Sequence, residues 1–376
     1  MKLEGGALKA MDRLRAIALE RLGEMWDEGK ALFSHKARLE PGGVENIGSN
    51  PLYSAMCLVG LGRERSPQAM ALLEHVQTTY STVAEAGRAT RDVGLLGTAA
   101  WALALANHPE YESVVRALLS TLRPRRATSM ELGLVLAGLE QAPSALGSEG
   151  RAASDAVVAE LRSRFSERSG LFRGTAVGAS RHAVVHHGIT SFASQVYPLV
   201  GLSARASNDS RDISELHRCG ERLASMQGPD GQWWWLYAPS KGGVLERYPV
   251  YSVHQHGMAF MALAGLQALG LGRFAGELAN GLAWLNGRNE LGVRLFDAER
   301  RFVYRAIQRT GSDPDGYGGL SRANHVAVVL ATLAGRHEDP DASLGPDRLE
   351  LLTECRSYEL GWLLYGSALV PRAASN

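Results

Sequence analysis

Two kinds of helical segment alternate along this chain, and that alternation restricts its fold more than any other feature. Residues 8–29, 66–83, 109–122, 150–165, 211–227 and 273–288 carry charge on one face and apolar side chains on the other, the pattern of a helix with one solvated side. Between them lie segments rich in Ala, Gly and Leu all round: "NPLYSAMCLVGLG" from residue 50, "DVGLLGTAAWALALAN" from 92, "SMELGLVLAGLEQ" from 129, "HGITSFASQVYPLVGLSA" from 187, "HGMAFMALAGLQALGLG" from 256 and "SRANHVAVVLATLAG" from 321. A helix that is apolar on every side has to be buried among other helices.

Six outer segments alternating with six inner ones predict an all-α (α/α)6 toroid, residues 1–376 forming one domain whose hairpins close into a ring around a cavity. An open solenoid has the same local pattern; the six-pair count and the unequal connections favour closure. A further helix near 347–366 is expected to close the ring from outside. The connections into the fourth, fifth and sixth inner segments are longer than the early ones, and each holds a short extended stretch: "SERSGLFRGTA", "GPDGQWWWLYA" and "DAERRFVYRAI". Long connections in a compact domain are usually functional. These three predict short β-hairpins crowning one face and walling the cavity mouth.

Composition narrows the partners. With 45% hydrophobic and 21% charged residues the chain is of ordinary globular type. Forty basic against thirty-nine acidic residues leave a net charge of +1, so no global field argues for nucleic acid or an anionic membrane. Cys57, Cys219 and Cys355 are far apart with no CxxC pair, which points to free thiols in a reducing compartment. The N-terminus lacks the apolar core of a signal peptide, and no stretch reaches 18 uncharged apolar residues. A cytoplasmic protein without a membrane span is expected, its oligomeric state unknown.

Gln227, Gly231 and Trp233, in "RLASMQGPDGQWWW", match the Q-x(2-5)-G-x-W core of the QW repeat, and the segment resembles that of squalene cyclases and related prenyltransferase-type toroids. The resemblance implies a structural tie between an outer helix end and the turn after it. A second stretch, "WLNGRNELGVRLFDAERRFVYRAI", with Gly287, Asn289, Glu290, Leu291, Gly292 and Asp297, resembles glycosidase-related proteins of the six-hairpin type. It departs from them after Asp297, where "AERRF" replaces the glycines. That resemblance implies a strand pair presenting substrate contacts at the mouth.

In such a ring the N-termini of the inner helices face the mouth. Candidate substrate contacts there are Asp92, His186, Arg247, Arg322 and Asn324, with Trp233 and Trp235 as stacking platforms for pyranose faces. The same edges hold Asn50, Tyr53, Glu131 and the loop arginines Arg88, Arg91, Arg173 and Arg181. Converging helix N-termini and arginines favour an anionic substrate. The densest cluster is "ERYPVYSVHQHG", holding Glu246, Tyr248, Tyr251, His254 and His256. Imidazole and phenol groups remove a proton beside a carboxylate and return one to a leaving oxygen. His187 and Asp315 complete the catalytic candidates. Each has a plainer reading: His254 as a helix cap, His256 as a core histidine, a loop arginine as a solvated charge. No HExxH accompanies the histidines, so neither metal nor cofactor is expected.

Three functions compete. One is an enzyme on an oligosaccharide or glycoconjugate, preferably uronate-type, working by hydrolysis or by Tyr/His proton abstraction as a lyase or epimerase. The second is an isoprenoid or terpene cyclase, against which the acidic DxDD and DDxxD motifs are absent from the sequence. The third is a toroid that binds a glycan or protein without catalysis.

Overall fold

The computed structural model describes residues 5–145, 147–176, 188–208, 213–312 and 345–370. His186, His187, Asp315, Arg322 and Asn324 lie outside the described residues, as does the inner segment expected from residue 321.

The chain is an (α/α)6 toroid. Among the described residues its helices are α1 (Gly5–Met25), α2 (Pro51–Glu64), α3 (Pro67–His75), α4 (Thr78–Thr90), α5 (Val93–Leu105), α6 (Tyr111–Thr121), α7 (Ser129–Glu140), α8 (Gly147–Arg164), α9 (Ala193–Asn208), α10 (Ser214–Ser225), α11 (Val253–Ala259), α12 (Ala275–Leu285) and α13 (Ser357–Ala368). Through a π-helical turn at Phe260–Ala264, α11 runs on into Gly265–Ala268. Among the described residues the inner ring runs α2, α5, α7, α9, α11, α13 and back to α2.

One expectation is overturned here. The helix expected to close the ring from outside near 347–366 is an inner member: α13 packs between α11 and α2, and Leu360, Trp362 and Leu364 on it are fully buried. Its sequence, "SYELGWLLYGSA", is apolar on every side past its first turn, and such a helix has nowhere to go but inside.

Glycine lets the inner helices touch backbone to backbone. A Cβ on Gly60 of α2 would stand 2.1 Å from the carbonyl oxygen of Gly361 on α13, and one on Gly138 of α7 would stand 2.3 Å from that of Gly97 on α5. Large aromatics fill the axis between them: Trp362 Nε1 donates to Tyr197 Oη at 2.9 Å, and Trp101 packs on Trp362 with ring centroids 5.8 Å apart.

Polar caps set where α2, α5 and α7 begin. Asn50 accepts from Tyr53 N, Asp92 from Leu95 N, and Thr128 with Glu131 forms a capping box, so the N-terminal backbone donors are satisfied. The expected hairpins form as Phe165–Ser166 with Leu171–Phe172, Leu236–Ala238 with Gly243–Glu246, and Phe296–Asp297 with Phe302–Val303. The first connection is also long, contrary to its expected brevity: Leu32–Glu40 and Gly43–Ser49 form a hairpin, and Glu354–Arg356 pairs on its other side. The strand Ala306–Arg309 lies between Val250–Tyr251 and Leu349–Leu352. These pairings bring the starts of α2, α11 and α13 to one place.

Candidate active site

At that place the strands and three helix N-termini assemble a buried cluster of aromatic and charged groups. Its centre is Arg305, whose Nη1 lies 2.7 Å from Glu354 Oε1 and whose Nε lies 3.3 Å from Glu359 Oε1. Arg356 Nη2 reaches the same Glu354 Oε1 at 2.9 Å, and Lys36 Nζ lies 3.6 Å from Glu354 Oε2. Arg356 Nη1 also stands 2.6 Å from His35 Nε2. Because a guanidinium only donates, that histidine nitrogen is the acceptor.

A chain of rings runs over these charges. The guanidinium of Arg305 faces the Tyr251 ring at 4.8 Å. Tyr251 meets Trp235 at 5.0 Å and His254 at 5.6 Å; His254 meets Tyr358 at 5.2 Å, and Tyr358 meets Tyr53 at 4.2 Å. Most of the cluster is buried, but Trp235, Tyr53 and His35 are half-exposed and form its open side.

Burial shifts the ionisable groups. Desolvation raises the Glu359 carboxyl to about 7, against the opposing pull of Arg305 and Arg356. Desolvation, with Arg305 close by, depresses His254 to about 3, so its imidazole is neutral. Burial lowers His35, assisted by Arg356, and raises the phenols of Tyr251 and Tyr358. Four buried polar atoms here, Glu354 Oε2, Ser357 Oγ, Glu359 Oε2 and His254 Nδ1, have no hydrogen-bond partner among the described residues. Unpartnered buried polar atoms are rare and call for a reason.

The candidates drawn from sequence divide in space. Tyr251, His254 and Trp235 stand in the cluster. Glu246 is buried and ion-paired with Arg309 at 2.8 Å. Tyr248 Oη donates to Glu290 Oε1 at 2.6 Å; Gln232 and Trp284 also donate to that carboxylate, which thereby ties three segments together. Arg247 lies over the Trp234 ring at 5.1 Å. His256 is core: its Nδ1 donates to the Ser252 carbonyl at 2.7 Å, its ring stacks on Trp284 at 4.7 Å, and burial depresses it to about 4. Trp233 is 1% exposed and packs against Phe192. The three tryptophans precede the strand rather than alternate along it. Asp92 is exposed and caps α5.

The two stretches singled out for their resemblances make contacts within the scaffold. Gln227 Nε2 donates to the carbonyls of Glu277 at 2.8 Å and Gly231 at 3.3 Å. Asn289 accepts from Leu291 N and Val293 N while donating to the carbonyls of Trp284 and Val293.

Glu354, Arg356 and Glu359 were missed by sequence reasoning, together with Arg305, Lys36 and His35. The first three had a signal, since "ECRSYEL" places polar groups just ahead of an all-round apolar segment, as at the other inner helices. Among the described residues no group of three His, Cys, Asp or Glu side chains is placed to hold a metal, and all three cysteines are free and buried. No described helix is long and apolar enough to cross a membrane.

The toroid has relatives of the same fold. The chain aligns over 98% of its length with 94% of a possible member of the GH105 family from Klebsiella pneumoniae subsp. pneumoniae MGH 78578, at a TM-score of 0.61 and 10% identity. It is also similar to a polysaccharide lyase, covering 97% of each chain at a TM-score of 0.51 and 11% identity. A sugar epimerase from a ruminal bacterium aligns with 86% of this chain and 99% of its own, at a TM-score of 0.56 and 8% identity. At such identities the likeness is one of fold. No family model and no curated protein matches the sequence.

Proposed function

We propose that the protein is a carbohydrate-active enzyme whose substrate, an anionic saccharide of uronate type, binds at the mouth cluster, with Glu359 as the group that exchanges a proton with it. The observation that carries this reading is the state of Glu359: a fully buried carboxyl raised to about 7 at the start of an inner helix, with one oxygen unpartnered. A proton donor works best when its pKa lies near the operating pH, and a raised carboxyl beside one held by more cations is a division of labour between an acid and its companion carboxylate.

The substrate class follows from charge and shape. Lys36, Arg305 and Arg356 outnumber Glu354 and Glu359, and protonation of Glu359 widens the excess, so a carboxylate is attracted. Trp235 and Tyr53 offer ring faces at the open side. That fold relatives include glycosidases, a lyase and an epimerase supports a sugar substrate. Because the Glu359 side chain is only 1% exposed, the mouth has to open around the substrate, as lidded sites do.

Among the reactions, acid-assisted hydrolysis suits the cluster best. An imidazole depressed to about 3 is a weak base, which counts against proton abstraction by His254. The test is product analysis on uronic-acid oligosaccharides, neutral oligosaccharides and isoprenyl diphosphates. New reducing ends support hydrolysis, an ultraviolet-absorbing unsaturated uronate indicates elimination, and an inverted epimer indicates epimerisation. Turnover of the diphosphates alone rejects the carbohydrate reading.

A further inference from the structure

A second cavity lies on the far side of the ring from Glu359, beside the N-terminus of α7, the inner helix opposite α13 in ring order. Three arginines from three segments meet there: Arg125 from the loop before α7, Arg164 from the end of α8, and Arg173 just after the strand Leu171–Phe172. Glu160, Ser163 and Thr175 complete the polar lining of about 360 Å3, a volume within the range of small-ligand pockets.

The three arginines are not equivalent. Arg164 is 1% exposed and committed to structure: Nε to Glu160 Oε1 at 2.9 Å, Nη1 to Ser129 Oγ at 3.2 Å, and Nη2 to the Pro124 carbonyl at 2.9 Å. It thereby occupies the cavity's one lining carboxylate. The guanidinium groups of Arg125 and Arg173 have no hydrogen-bond or ion-pair partner among the described residues. Arg125 is exposed and Arg173 half-buried; with Arg164 they put three cations against the single carboxylate of Glu160 in the described lining, and that excess favours an anion.

We propose that this cavity is an oxyanion-binding site, with Arg125 and Arg173 holding a carboxylate, phosphate or sulfate. The planar fork of each guanidinium matches an edge of two oxygens; the Ser163 hydroxyl in the same lining is committed to the Glu160 carbonyl at 2.7 Å. One source of the anion is a charged group on a saccharide spanning the mouth, which rests on the function proposed above. The other is a free inorganic anion, which does not.

Calorimetric titration separates these cases, with inorganic phosphate, inorganic sulfate and a uronic-acid oligosaccharide as probes. Wild-type protein is expected to bind at least one of them, and Arg125→Ala/Arg173→Ala to lose about tenfold or more in that affinity. Among the described residues neither side chain bears a structural bond, so this variant should melt like wild type. Arg126→Ala, removing an exposed arginine of the same loop outside the cavity, should change affinity less than about twofold. Competition between phosphate and the oligosaccharide assigns the anion to the saccharide; phosphate or sulfate binding without competition assigns it to a free ion. Failure to bind any of the three probes, or equal losses in Arg126→Ala and the double variant, overturns the proposal. Arginine-dependent phosphate binding in a protein that turns over no saccharide would keep this site and reject the function.

Discussion

Arg305 Nε stands 3.3 Å from Glu359 Oε1, with side-chain exposures of 10% and 1%. The same guanidinium holds Glu354 from its other edge, so one cation serves two buried carboxyl groups. Arg356 and Lys36 also lie against Glu354, so Glu359 is the less compensated of the two for its desolvation. The carboxyl on the longer contact is the one whose proton is retained towards neutral pH.

Stability should report this directly. A carboxyl whose folded pKa lies above its unfolded value binds more protons in the folded state, so its contribution is present at low pH and falls as pH rises between the two values. For Glu359 that window runs from 4.5 to about 7, and the shift corresponds to roughly 3 kcal/mol. Glu359→Gln mimics the protonated form. Chemical denaturation from pH 4.5 to 7.5 should show wild type losing stability relative to this variant by that order, and parallel curves would refute the shift.

Removing the cation should cost more than removing one carboxyl. Arg305→Ala leaves Glu354 and Glu359 facing each other in the interior with only Arg356 and Lys36 nearby. Breaking a buried ion pair from one side typically costs about 3–5 kcal/mol, read as a fall in urea midpoint. A change below about 1 kcal/mol would mean that the cluster is far more hydrated than its burial implies.

The ring itself is tested at its closest backbone contact. Gly60→Ala should destabilise by about 1–3 kcal/mol or more, because the added methyl collides with main chain that cannot move aside. Gly276→Ala on the outer helix α12 meets nothing within 4 Å and should be neutral or stabilising by up to about 1 kcal/mol. Thermal melts of the two variants side by side decide it.

The alternation of charged-face and all-round apolar segments was enough to read the architecture, because burial on every side leaves a helix no position except the inner ring. That rule applies equally to "GWLLYG" after Glu359. It was misassigned because the segment from 321 had already filled the sixth place. The candidate cluster was legible only where its residues are local in sequence, as with Tyr251 and His254 around one helix start. Lys36, Arg305 and Glu354 come together through strand pairings between distant parts of the chain, and one sequence carries no sign of such pairing. His256 and Tyr248 make scaffold contacts with Ser252, Trp284 and Glu290, which their positions in the sequence do not reveal.

At the open side, Trp235→Ala should weaken saccharide binding while leaving the fold nearly intact, since the ring is half-exposed. A stacking loss of about 1 kcal/mol or more, several-fold in Kd, is expected by calorimetry. Unchanged affinity would move the sugar away from this wall.

The most direct measurement is the single-turnover rate of wild type and Glu359→Gln on the saccharide that the product screen identifies, followed from pH 5 to 9. Loss of a positioned proton donor costs about 10²–10⁴-fold. The account predicts a loss of that order in Glu359→Gln, with saccharide binding retained and a wild-type rate that declines above about 7 as the carboxyl ionises. A variant that turns over within a few-fold of wild type, with the same pH profile, would contradict it.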